Sequence, residues 1–201
     1  MSEQATWLEV ANRIPPSRTI VVEGRLILNN LEKYRRRLKR LQESDGDGDI
    51  GFIVNSKGGH TAAGLELFYL FSKSPVRIVG IVKGEAKSAG FMALQGCHVR
   101  LATSKSILQI HDPERFDTAP PLVHHEMTLD EYLDIHRGRF PNIKAEVERE
   151  REEVVTILAK VSKLKDIVFL EEFLKREKVM NAEEALSLGF LDGVIEGPAL
   201  I

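Results

Sequence analysis

The chain has 201 residues, 43% of them hydrophobic, and 28 basic against 30 acidic side chains give it a formal net charge of −2. That size supports one core, so a single domain over residues 1–201 is expected. Three classes are excluded: basic residues lie among acidic ones with no face for nucleic acid, no apolar run approaches the roughly 20 residues of a membrane helix, and the lone Cys97 allows no internal disulfide. One cysteine also suits a reducing compartment. The start, MSEQATWLEVANRI, lacks the basic-then-apolar order of a signal peptide, so a cytoplasmic location is expected.

After a short polar segment over 1–17, RTIVVEG (18–24) reads as a buried strand ending at Gly24. Residues 26–43 have helical spacing, with Leu28, Leu31, Tyr34, Leu38 and Leu41 on one side and YRRRLKR facing out. SDGDGD (44–49) is a turn, and GFIVN (51–55) is a second strand. It runs through SKGGH into a helix from about Thr61 to Ser72. RIVGIVKG (77–84), GEAKSAG, a helix over 89–96, VRLAT and ILQIH follow. Strand and helix in short alternation predict an α/β core with largely parallel strands. In such sheets, sites gather where strands end in Gly-rich turns, here at Gly58-Gly59 and Ala86–Gly90.

The last third differs. PPLVHHE (120–126) is a loop, and TLDEYLDIHRGRF is a short helix opened by Thr128, with Asp130 and Glu131 in its first turn. The pattern from Asn142 to about Leu174 predicts one long helix. Ile143, Val147, Val154, Ile157 or Leu158, Val161 and Leu164 form its apolar stripe, and KAEVEREREE is its solvated face. So long a stripe on so small a domain suggests a neighbouring subunit as its partner. NAEEALSLGFLDGVIE is an Asn-capped helix, a Gly-containing turn and a closing strand.

Three places could carry chemistry. Gly58-Gly59 opens a helix and could turn N–H groups toward a carbonyl oxygen. Ser88 sits where a strand meets a helix, and His111 closes ILQIH. Each alone has a plainer role: a close-packed turn, a cap or spacer, a hydrogen-bonded strand end. Together they are the nucleophile, base and oxyanion donors that acyl transfer needs.

SKGGHTAAGLELFYLF, GEAKSAGFMALQGCHVRLA and SKSILQIHDP, in that order, resemble the ClpP family, the proteolytic subunit of the Clp protease. Second glycine to serine spans 29 positions and serine to histidine 23, which fits the family. RTIVVEGRL and MNAEEALSLGFLDGVIE extend the likeness over most of residues 16–113 and 143–196. The resemblance implies a ClpP/crotonase-like superhelical α/β fold of repeated β-β-α units with a long projecting handle helix, residues 114–174 being an insertion plus that handle. It implies a serine endopeptidase working through an acyl-enzyme, with Ser88 as nucleophile and His111 as general base. The N–H groups of Gly59 and Ala89 would form the oxyanion hole. Gly58, Gly59, His60 and Thr61 would line the edge where a peptide adds as a strand. No cofactor is implied. The implied partners are a peptide or unfolded substrate and further copies of the chain, in a heptameric ring or double ring.

The chain departs from the pattern in several places. Glu177 falls where the family has an aspartate as third triad member, with Asp112, Glu172 and Glu171 as rivals. Lys57 replaces a proline, Ala89 a methionine, and Lys87 a small residue, which raises a Ser–Lys dyad as another activation. Surplus residues fall within about 114–141 and are read as a lid or altered inter-ring loop. Their histidines, His124, His125 and His136, have no carboxylate or cysteine at ligand spacing, so no metal is expected. The 17 residues before RTIVV lack a match to the axial gating loop where an unfolding ATPase docks, and no GxxxxGK[ST] occurs. A Clp-type ATPase partner therefore stays open. Two other readings remain: a catalytically inactive ClpP-like ring subunit, and a crotonase-type acyl-CoA enzyme.

Overall fold

A computed structural model describes residues 3–44, 48–113 and 143–196. Helix α1 (Glu3–Asn12) and one 3-10 turn (Pro16–Arg18) precede β1 (Thr19–Leu26). Then come α2 (Leu28–Glu43), β2 (Ile50–Gly59), α3 (Thr61–Ser72), β3 (Ile78–Lys87), α4 (Ala89–Gln95), β4 (Val99–Thr103) and β5 (Ile107–Gln109). The chain resumes with α5 (Ile143–Val161), α6 (Ile167–Lys175), β6 (Val179–Asn181), α7 (Ala182–Ser187) and β7 (Gly193–Ile195).

These strands form one sheet in the order β1-β2-β3-β4-β7, parallel throughout, as the alternating pattern predicts. Strand β3 is long enough to hold two partners in succession. Its first half pairs with β4 and its last three residues with β5, which also pairs antiparallel with β6. The register of β2 on β3 shifts between these halves, beside Gly84, where φ is +112° and a Cβ would fall 2.6 Å from Asn55 Oδ1. That Asn55 oxygen accepts from Glu85 N–H at 3.2 Å, which ties β2 to β3 across the shift. Ser88 follows the end of β3 that pairs with β5, and His111 follows β5 itself.

Strand β2 is buried on both faces because both are covered. Helices α2 to α6 pack on one face around Phe52, Phe71, Phe91 and Phe190, each fully buried. Each such ring contributes about 2–3 kcal/mol. Helix α1 covers the other face, where Trp7, Leu8, Val10, Ala11 and Ile14 meet Ile53, Val79, Ile81, Val99, Leu101 and Ile195. Gly193 makes room for it: a Cβ there would fall 2.5 Å from Trp7 Nε1. The segment before β1, read as a polar start, is thus a structural helix.

The stripe of α2 is buried as expected at Leu31, Tyr34, Leu38 and Leu41, whereas Leu28, at the exposed first position, is not. The single long helix expected over 142–174 is two helices. Ser162 Oγ donates to Leu158 C=O at 2.7 Å and accepts from Leu164 N–H at 3.1 Å. Asp166 then caps α6 by accepting from Phe169 N–H at 3.2 Å. Side chains that bind the backbone this way end one helix and start another. Val154, Val155, Ile157 and Leu158 are buried in the core of this same chain, so that part of the stripe already has its partner. Among the described residues no helix is long and apolar enough to cross a membrane.

Candidate active site

Pairing of β3 with β5 brings Ser88 and His111 together. Lys87 is in register with Gln109, and Ser88 N–H donates to Gln109 C=O at 2.8 Å, which fixes the turn beside the end of β5. His111 follows two residues later. The antiparallel register of β5 and β6 ends with Gln109 opposite Val179. Beyond that ladder Glu177 lies in the turn after α6, and its main-chain carbonyl accepts from Gln109 Nε2 at 2.8 Å. The Glu177 main chain therefore reaches the end of β5, two residues before His111, although 66 positions separate Glu177 from His111.

Ser88 stands at the N-terminus of α4 with φ 48° and ψ −120°, and its side chain makes no capping hydrogen bond. Those angles belong to the first central position of a type II′ turn, which favours glycine. A serine kept there is strained by roughly 1–3 kcal/mol. What holds it is close packing. A Cβ on Gly58 would fall 2.6 Å from Ser88 Cβ, and one on Gly64 would fall 2.6 Å from Ala89 O. Gly58 N–H donates to Ser56 Oγ at 3.1 Å, and that hydroxyl donates to Gly24 C=O at 2.6 Å, which anchors the Gly-Gly segment to β1. The Gly-Gly pair is thus the end of strand β2, paired with Arg25 and Leu26. The first N–H groups of α4, Ala89 included, have no acceptor within the helix.

Thr61, Ser88, Ala89, Met92, Ile110, His111, Pro113 and Val154 line one small cleft. His111 is half-buried, and its Nδ1 lies 2.7 Å from the Asp112 carbonyl. A carbonyl oxygen only accepts, so Nδ1 carries a hydrogen in this arrangement. A general base working through Nε2 keeps a hydrogen on Nδ1.

The carboxylates sort differently. Asp112 is clasped by Arg151, with Nε to Oδ1 at 3.1 Å and Nη2 to Oδ2 at 2.9 Å. Glu172 pairs with Lys175 at 2.9 Å, and that hydrogen bond holds its carboxyl below the usual glutamate value. Glu177 is exposed and sits at φ 48°. Lys87 Nζ is engaged by Glu85 at 2.9 Å rather than by Ser88. His60 Nδ1 accepts from Leu28 N–H at 3.4 Å, at the start of α2. Among the described residues no group of three or more His, Cys, Asp or Glu side chains could hold a metal. His124, His125, His136 and the rest of the expected lid lie outside the described residues.

Gln109, Asp112 through its carbonyl, and Arg151 were not legible as site residues. Their only sequence signal is place: Gln109 and Asp112 lie on either side of His111 within SKSILQIHDP, and Arg151 is one turn before Val154, which lines the cleft.

A parallel sheet thus delivers an uncapped, strained serine and a histidine to one cleft in an α/β fold. The Clp protease family model matches residues 2–198, and the chain belongs to that family. Similar proteins include the ATP-dependent Clp protease proteolytic subunits of Sorghum bicolor, Saccharum officinarum and Saccharum hybrid. Each is 25% identical over 194 residues, which cover 94% of this chain and 82% of the relative. Among solved structures, a point mutant of ClpP1 from Listeria monocytogenes has a TM-score of 0.72 at 18% identity, covering 96% of both chains, a likeness of fold.

Proposed function

We propose that this protein is a serine endopeptidase of the Clp type. The observation that carries the reading is Ser88 itself: strained, half-buried and uncapped, in one cleft with a histidine whose Nδ1 donates to the Asp112 carbonyl. In this reading Ser88 Oγ attacks the peptide carbonyl as His111 Nε2 takes its proton. The oxyanion is held by the N–H groups of Gly59 and Ala89. His111 then protonates the leaving amine, and water, deprotonated by the same nitrogen, releases the acyl group. An extended peptide adds along Gly58, Gly59, His60 and Thr61. Glu177 is the acid facing the imidazolium, supported by the hydrogen bond that Gln109, two residues before His111, donates to its carbonyl. Copies of the chain would assemble as a ring enclosing these sites, in a cytoplasmic setting.

A second reading, an inactive ring subunit, is favoured by one observation: the Asp112 carbonyl stands 2.7 Å from His111 Nδ1, the nitrogen that a triad carboxylate would hold. Fluorophosphonate labelling followed by peptide mapping separates the two. A single adduct at Ser88, absent in Ser88→Ala, supports the peptidase. Absence of any adduct on folded, assembled protein supports the inactive subunit.

A further inference from the structure

We propose that Arg151 and Asp112 are positioning residues for His111, a role that rests on the peptidase reading. His111 needs its ring held with the hydrogen on Nδ1 so that Nε2 can accept a proton. Here the holding group is a main-chain carbonyl, that of Asp112, 2.7 Å away. A carbonyl at the end of a strand is only as well aimed as its own peptide. This peptide is aimed by its side chain. Both Asp112 oxygens are gripped by the Arg151 guanidinium, at 3.1 and 2.9 Å, in a pairing that fixes angle as well as distance.

The pair is only 27% and 22% exposed, so solvent competes little for either group. Arg151 in turn is held by α5, which packs into the core through Val154 and Val155, and Val154 also lines the cleft beside Ser88 and His111. A chain of contacts thus runs from the body of α5, through Arg151 and Asp112, to the ring. Loss of the guanidinium would let the Asp112 peptide rotate and the ring turn with it. Misplacing a base by an ångström slows the step it serves by about a hundredfold.

The test uses full-length protein in four forms: unchanged, Arg151→Ala, Arg151→Lys and Asp112→Ala. The rate of fluorophosphonate addition to Ser88 is followed by mass, and the His111 tautomer is read by nitrogen-15 NMR of the ring. Arg151→Ala and Asp112→Ala are expected to slow labelling about tenfold to a hundredfold and to shift the hydrogen from Nδ1 toward Nε2. Arg151→Lys, which keeps the charge but not the two-pronged grip, should fall between. Labelling at the unchanged rate or faster in folded Arg151→Ala, or an unaltered tautomer, overturns the role. Should either alanine variant not fold, Arg151→Lys and Asp112→Asn decide by the same two readouts. If the unchanged protein takes no probe at Ser88, the peptidase reading fails instead, and the tautomer alone decides whether the clasp orients the ring.

Discussion

Gly58 and Ser88 approach so closely that a methyl group on the first would sit 2.6 Å from Cβ of the second and 2.9 Å from the Lys87 carbonyl. The glycine is thus the wall against which the serine is held, and it has a φ of +101° that side chains rarely adopt. Gly58→Ala is expected to destabilise the fold by about 1–3 kcal/mol and to displace Ser88, slowing probe labelling about a hundredfold. Labelling at the normal rate in folded Gly58→Ala would show that the contact does not position the nucleophile.

Strain at Ser88 has an opposite signature. Ser88→Gly removes the hydroxyl and relaxes φ 48°, ψ −120°. It is expected to abolish labelling while raising stability by about 1 kcal/mol, the strain released less the entropy that glycine adds to the unfolded chain. Urea unfolding of the two proteins measures this. A less stable glycine variant would mean that the serine is not strained.

The ion pair of Lys87 with Glu85 separates two activation schemes. If His111 is the base, Lys87→Met should label within about threefold of the unchanged protein, because Lys87 Nζ is held by Glu85 and takes no part in the proton transfer. His111→Ala should lose about a hundredfold or more. The reverse ranking would restore the Ser–Lys dyad.

Tyr69 on α3 donates to Glu153 on α5 at 2.6 Å. That hydrogen bond, with burial as a smaller cause, raises the phenol above its ordinary value of 10.0. The folded protein therefore keeps this proton longer than the unfolded chain does. The resulting stability is complete below pH 10 and is lost as pH rises from there toward the raised folded value. Urea midpoints across this alkaline range should fall more steeply for the unchanged protein than for Tyr69→Phe. Equal slopes would show that the contact is not linked to the tyrosine proton. Tyr34, also raised, but by burial, contributes equally to both proteins.

Much of the main path of the sheet was legible in the chain itself. Hydrophobic runs bounded by glycines marked β1 to β4, and the Asn181 cap with Gly189 at φ +81° marked the closing helix and its turn. The short pieces were not. Strand β6 has three residues and exists because β5 offers it an edge. Trp7, Ala11 and Ile14 in and just beyond α1 have helical spacing, yet only the sheet face they cover gives that spacing a purpose. The break at 162–166 depends on Ser162 and Asp166 turning their oxygens to the backbone, a local choice that an unbroken apolar period conceals.

For the site, the sequence by itself determined the residue types, their order and the family to which they point. Ser88, His111 and the glycine pair are local features, each made by a strand end or a turn written in neighbouring residues. Tertiary structure decided how they meet. The last residues of β3 take β5 as a second partner and so bring His111 to Ser88, and Gln109 at the end of β5 binds the Glu177 carbonyl. Which group holds the histidine was decided there too. The grip of Arg151 on Asp112 joins residues 39 positions apart, and nothing in the period or composition of either segment encodes that distance. Hydrogen-bond geometry between remote segments exists only once packing has fixed both backbones.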